Sequence, residues 1–255
     1  NNLFTFLKII IKNLILFLIG LSIGLSQSNL TIYSSPLYSM SKVKKREILK
    51  TKVRAFDKSL IKNLKLILPC EDVQVPKRTM RLPNAPRNYR NGVHKGIDFF
   101  ANWGTPIRAV ADGIVIRSDL YYKEVSPEFR EQVLKSSARV GKTPSDIFNN
   151  VLLGQSVFLD HGFDLIPGFR AISIYAHLSH INTEVKPGVL IKSGEIFAKS
   201  GNSGVKESTL GSKSGAHLHW ELIIQRDKEE VYLGKDIPNP ELYEMLSLIF
   251  YEPNK

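Results

Sequence analysis

Residues 215–224 read GAHLHWELII, and the alternation inside this stretch decides the fold. On a strand, successive side chains point to opposite faces. His217, His219 and Glu221 then share one face, while Leu218, Trp220, Leu222 and Ile224 share the other. The second face is made for a core. The first carries two imidazoles about 7 Å apart along the sheet, which is unusual for plain packing.

The same texture continues outward. PIRAVADGIVIRS (106–118), SVFLDHG (156–162), AISIYAHLS (171–179) and GEIFAKSG (194–201) are strand-length, β-branched runs cut by turn residues. They predict an antiparallel β domain. Residues 121–152 break the pattern. Ser126 and Thr143 stand where helix N-caps belong, each followed by a proline suited to the first helical position. This stretch reads as a helical insertion between two strands.

Upstream, residues 1–28 hold Lys8 and Lys12, then the apolar run LILFLIGLSIGL (14–25), then Ser26 and Ser28. A basic start, an apolar run of about a dozen residues and a small-residue exit describe a secretory signal. The longer stretch from Leu3 to Leu25 would also serve as an uncleaved membrane anchor. Either places the rest of the chain outside the cytoplasm, in the cell envelope. Residues 29–41 read as a linker and 42–80 as a basic helical segment. Within it, residues 42–65 carry ten Lys or Arg against Glu47 and Asp57, with apolar positions at helical spacing. Three destinations suit such a helix: its own domain, an anionic surface or a partner. The β domain spans 81–228, and 229–255 reads as a carboxy-terminal extension.

Composition sets bounds. The chain has 255 residues, 43% of them hydrophobic, enough for one sizeable core plus extra segments. Its formal charge of +11 favours anionic partners, such as a wall polymer or an anionic lipid surface. No zinc-finger spacing or aromatic strand signature accompanies it, so nucleic acid is not expected. The single cysteine, Cys70, excludes an intrachain disulfide and reads as a small buried hydrophobe. Oligomeric state is not legible.

Three further features bear on chemistry. HKGID (94–98) sets His94 and Asp98 four apart around a glycine, where they can converge if the chain turns at Gly96 into a strand. His177 follows the apolar run AISIY, a place where a histidine is usually structural. The HLH pair completes the set. In order along the chain, HKGIDFF, GTPIRAVADGIV, YAHLS, VKPGVLIKSGEIFAKSGNSG and SGAHLHWEL resemble the lysostaphin-type (LytM-domain) zinc metallopeptidases over residues 88–225.

That resemblance implies a mainly β fold, an antiparallel β-sheet sandwich. It implies Zn2+ bound by His94, Asp98 and His219, with a fourth position left for water, and His177 and His217 as the catalytic pair. The activity it implies is endopeptidase cleavage of peptidoglycan cross-links or stem peptides. The alternative is a LytM-type domain that regulates other wall hydrolases without catalysis. Glu221 is expected to orient an imidazole. Tyr89 is a weaker candidate for stabilising an oxyanion, because its spacing to His94 is not a clean match. His161 is expected to be structural, and His180 to face solvent from a loop. GNSGVKESTLGSKSG (201–215) is a substrate-groove loop by resemblance and a flexible turn by composition. The insertion could narrow substrate choice, act as a lid or dock a partner.

Overall fold

β-branched runs interrupted by glycine and proline give short strands joined by tight turns. The computed structural model describes residues 56–253. In chain order the strands are β1 (Leu66–Ile67), β2 (Pro86–Arg87), β3 (Gly92–Val93), β4 (Ile97–Phe99), β5 (Pro106–Arg108), β6 (Gly113–Ser118) and β7 (Val157–Asp160). They continue as β8 (Arg170–Ala176), β9 (Leu178–Ile181), β10 (Leu190–Ile191), β11 (Ile196–Ser200), β12 (Leu218–Arg226), β13 (Glu229–Tyr232) and β14 (Phe250–Tyr251).

Among the described residues, a seven-stranded sheet runs β10-β6-β7-β8-β12-β13, with β4 also paired to β12. A three-stranded sheet runs β5-β11-β9. Their pairings are all antiparallel, as expected. The short β1 and β14 pair in parallel.

The large core includes Ile97, Phe99, Tyr175, Leu218, Trp220, Leu222 and Ile224 from the main sheet and Ile107 and Phe197 from the smaller one. Tyr175 packs edge-on to Phe197 with ring centroids 4.9 Å apart, and Trp220 likewise to Phe250 at 5.2 Å. Each such large side chain contributes about 1.5–3 kcal/mol by leaving water. A second cluster of Leu153, Ile172, Ile174, Ala176, Ile223 and Tyr232 covers the opposite face of the main sheet. The alternation read in β12 is thus realised, with apolar residues on both faces and the histidines at one end. Cys70 is buried and free, and burial pushes its thiol up to about 12.

The insertion lies between β6 and β7. Its helix spans Pro127–Val140, and Ser126 Oγ accepts from Phe129 N–H at 3.2 Å, the cap the sequence predicts. Thr143 caps no helix. Its hydroxyl donates to the Arg90 carbonyl instead, and residues 145–152 form one helical turn, Ser145–Ile147, and a π turn, Phe148–Leu152.

Two boundaries need correction. The helical reading of 42–80 fails over its described part, where Lys58–Ile61 is a single 3-10 turn and Leu66–Ile67 is a strand. Leu64, Leu66, Ile67 and Leu68 are all buried. A contiguous run closed by Pro69 suits an extended segment in a core better than one face of a helix. Residues 56–80 therefore dock on their own domain, and 42–55 lie outside the described residues, as do the expected signal or anchor and the linker. The carboxy-terminal stretch is no appendage either. β13 extends the main sheet, and the helix Glu241–Ile249 buries Leu242, Leu246 and Ile249 in the core. Among the described residues no helix is long and apolar enough to cross a membrane.

Candidate metal centre

β4 and β12 lie side by side, with Asp98 directly opposite His219. His94 precedes β4 and is held by backbone bonds, His94 N–H to Ala85 O at 2.8 Å and Asn84 N–H to His94 O at 2.8 Å. The close approach depends on Gly96. A β-carbon there would lie 2.3 Å from the Trp220 carbonyl oxygen and 3.0 Å from His219 Cε1. The glycine serves by lacking a side chain, a different reason from the turn expected of it.

Three donor atoms converge. His94 Nε2 lies 2.9 Å from Asp98 Oδ1 and 3.0 Å from His219 Nδ1, and His219 Nδ1 lies 2.8 Å from Asp98 Oδ1. Both imidazoles are held from behind. His94 Nδ1–H donates to the Leu82 carbonyl at 2.9 Å, and His219 Nε2–H to Glu221 Oε1 at 2.8 Å. These bonds fix the tautomers so that His94 Nε2 and His219 Nδ1 aim lone pairs at one point. The outer oxygen of Asp98 accepts from Arg87 Nη2 at 3.0 Å, which leaves one carboxylate oxygen for the cluster.

Such a cluster needs positive charge. Burial alone lowers an imidazole, as it does for His94. At His219 the bonds to Asp98 and Glu221 outweigh burial and raise it to about 9. Either a proton on His219 Nδ1 or a cation satisfies the triangle. A tetrahedral zinc with bonds of 2.0–2.1 Å sets its ligands about 3.3 Å apart, so these donors fit it with shifts of a few tenths of an ångström. Among the described residues, His94, Asp98 and His219 are the group able to hold a metal ion.

His177 and His217 stand beside this centre, with ring centroids 4.8 Å apart and His177 5.6 Å from His219. His177 occupies the break between β8 and β9 at φ 60°, where the chain leaves the main sheet for the smaller one. A left-handed bulky residue is uncommon and is held only where its surroundings fix it. Here His177 N–H bonds to Leu153 O at 2.9 Å and its Nδ1–H to Ser203 O at 2.7 Å. His217 Nδ1–H donates to Gly215 O at 2.7 Å. Burial and the neighbouring imidazoles hold His177 well below the ordinary histidine value. Burial also lowers His217, against the pull of Asp98. Both rings are neutral near pH 7, each with Nε2 left as an acceptor.

The site opens into a cleft of 680 Å³. The insertion forms part of its wall through Arg130, Leu134, Phe148 and Leu152, facing the loop residues Gly204–Glu207. It is fixed at both ends. Thr143 and Phe148 engage Arg90, the ring lying 4.6 Å from the guanidinium carbon. Arg130 Nε donates to Gly204 O at 3.3 Å, and Glu124 Oε2 accepts from Gly204 N–H at 2.8 Å. The 201–215 loop is stapled too, by Asn202 Nδ2 to the carbonyls of Ser212 and Ser214, each at 2.8 Å.

The other candidates separate cleanly. Glu221 orients His219 as expected. Tyr89 is on the cleft wall but 57% exposed, and among the described residues no hydrogen bond ties it to the three donors. His161 is structural, its nitrogens engaged with Asp112 O at 2.6 Å and Ser173 Oγ at 2.8 Å. His180 faces solvent, though from β9 and not from a loop. The sequence reading missed Arg87, Arg90 and Arg130, which sit outside any motif it used.

Residues 136–231 match the profile of Peptidase family M23. The matched segment contains His177, His217 and His219, while His94 and Asp98 precede it. A protein of Haemophilus influenzae described as an uncharacterized metalloprotease is 31% identical over 131 residues, 51% of this chain and 18% of that protein, so the match spans under a fifth of the relative. Among solved structures, a zinc containing peptidase from Vibrio cholerae is 20% identical with a TM-score of 0.36, covering 72% of this chain and 41% of its own. The catalytic domain of lysostaphin from Staphylococcus simulans is 20% identical with a TM-score of 0.35, covering 68% and 89% respectively.

Proposed function

We propose, for a chain whose residues 136–231 match the profile of Peptidase family M23, zinc-dependent hydrolysis of peptide bonds in bacterial peptidoglycan, at its cross-links or stem peptides. The observation that carries this reading is the meeting of His94 Nε2, Asp98 Oδ1 and His219 Nδ1 within 3.0 Å of one another, beside two neutral imidazoles in an open cleft. Zinc bound by these three residues would polarise a scissile carbonyl and acidify a water.

His177 and His217 are then free for proton work. Each gives its Nδ1–H to a backbone carbonyl, so each Nε2 can take a proton. One accepts the proton of the attacking water and hands it to the leaving amine. The other, also neutral, can accept the second hydrogen of that water at Nε2 and so orient it for attack. Glu221 and Arg87 move no proton; they hold His219 and Asp98 in position. The basic-then-apolar start at residues 1–28 supports export to the envelope, where this polymer lies. The cations of 42–65 support contact with an anionic wall or membrane surface.

The test is elemental analysis of the purified protein beside digestion of purified wall. His219→Ala is expected to lose zinc, while His177→Ala and His217→Ala keep zinc and release no wall peptides. Full zinc occupancy in His219→Ala refutes the ligand set. Undiminished digestion by both other variants refutes the catalytic pair. A zinc-loaded native chain that releases nothing would favour the non-catalytic regulator.

A further inference from the structure

We propose that Arg90 and Arg130 form a carboxylate-binding subsite in the cleft, taking a substrate residue whose apolar stem ends in a free carboxylate. The inference deepens the peptidase reading above and rests on it.

Arg90 is 6% exposed. A guanidinium carries five N–H donors, and a buried one is costly without an anion. Its Nη2 donates to Val93 O at 2.5 Å, and its face lies over Phe148. Arg130 spends Nε on Gly204 O, which leaves its two terminal nitrogens as a fork. Among the described residues neither arginine forms an ion pair.

Among the described residues, Tyr89 hydrogen-bonds Arg90, and the carboxylates on the cleft form no ion pair with either arginine. Arg87 is committed to Asp98, and Glu131 to Lys135 at 2.7 Å. Glu221 attracts Arg90 but is bonded to His219. Glu124 is engaged by Gly204 N–H and by the Tyr122 hydroxyl. Glu207 also lines the cleft, next to Lys206, which adds a further cation. The same cleft wall carries apolar Leu134, Phe148 and Leu152. An apolar stem lies along that wall, and a carboxylate at its end meets the Arg130 fork, with the Arg90 charge lining the same cleft. Arg130, Phe148 and Leu134 all belong to the 121–152 insertion, so the insertion sets what this cleft accepts.

The test uses three synthetic versions of one cross-linked stem-peptide dimer: all carboxylates free, only the C-terminal carboxylates amidated, and all amidated. Binding to the zinc-loaded full chain is measured by calorimetry, and hydrolysis is followed in parallel. The free acid is expected to bind about 10- to 100-fold more tightly than the full amide. Arg130→Gln and Arg90→Gln should remove most of that preference, bringing the free acid and the full amide to similar affinities. Arg130→Glu, at a half-buried position that is safer for folding, should invert it. A C-terminal amide that behaves as the free acid assigns the subsite to a side-chain carboxylate, and one that behaves as the full amide assigns it to a chain terminus. Equal binding of all three versions, no binding of any, or a preference that survives Arg130→Glu overturns the subsite. Hydrolysis without preference removes the subsite and keeps the peptidase. A preference lost in the variants, with no version hydrolysed, does the reverse.

Discussion

Gly96→Ala is the sharpest probe of how the backbone builds the centre. The added β-carbon would meet the Trp220 carbonyl oxygen at 2.3 Å and Glu221 Cγ at 2.8 Å. Real β-carbons essentially never approach closer than 3.0 Å, so something must yield by about 0.7 Å. Trp220 cannot yield easily, since β12 is held between β4 and β8 and its indole is 1% exposed. The strain falls on the chain beside β4, which carries Asp98 opposite His219. Ligand positions in a metal site tolerate about 0.2 Å. Alanine should therefore cost about 1–3 kcal/mol of stability and weaken zinc binding at least as much as losing an outer partner, about 10–100-fold. Competition with a chromophoric chelator reads the affinity, and urea unfolding of metal-free protein reads the stability. An alanine variant that holds zinc within about threefold of the native chain would refute the idea that strand proximity sets the ligand geometry.

Two further outcomes rest on the same packing. Glu221→Gln keeps size but weakens the hold on His219 Nε2–H, so zinc affinity should drop about 10–100-fold with the fold intact by circular dichroism; unchanged affinity would show that Glu221 is idle. Trp220→Ala, with the cavity it leaves beside Phe250 and Tyr175, should cost about 3–5 kcal/mol in urea unfolding, and a loss below about 1 kcal/mol would mean the site collapses to fill the gap.

β12 is legible from its alternation because a strand buried on both faces leaves little freedom: one register puts Trp220 in the core and His219 on the other face. The insertion helix is legible for a local reason, since Ser126 and Pro127 specify a start that needs no tertiary partner. The basic segment defeats such a reading, because spacing alone cannot distinguish a helix face from an extended run whose every side chain is swallowed by a core, as at Leu66–Leu68. Thr143 shows the same limit: its hydroxyl has a nearer use on the Arg90 carbonyl. The arginines of the cleft carry no periodic signal at all. Their meaning comes from chain segments that meet only in space, Arg87 with Asp98 and Arg130 with Gly204.

The pairing of β1 with β14 bears on timing. Leu66 and Ile67 lie beside Phe250 and Tyr251, Leu68 N–H reaches Tyr251 O at 2.9 Å, and Arg108 bonds both the Leu68 carbonyl and Glu252. Among the described residues, the first strand thus waits for the last. A chain threading out of a ribosome or through an export channel cannot seal this core until residue 251 has emerged. Nor can β4 be flanked by β12 before His219 is made. The three donors therefore meet only once β12 has been made, and the β1–β14 pairing closes only after β14 follows it.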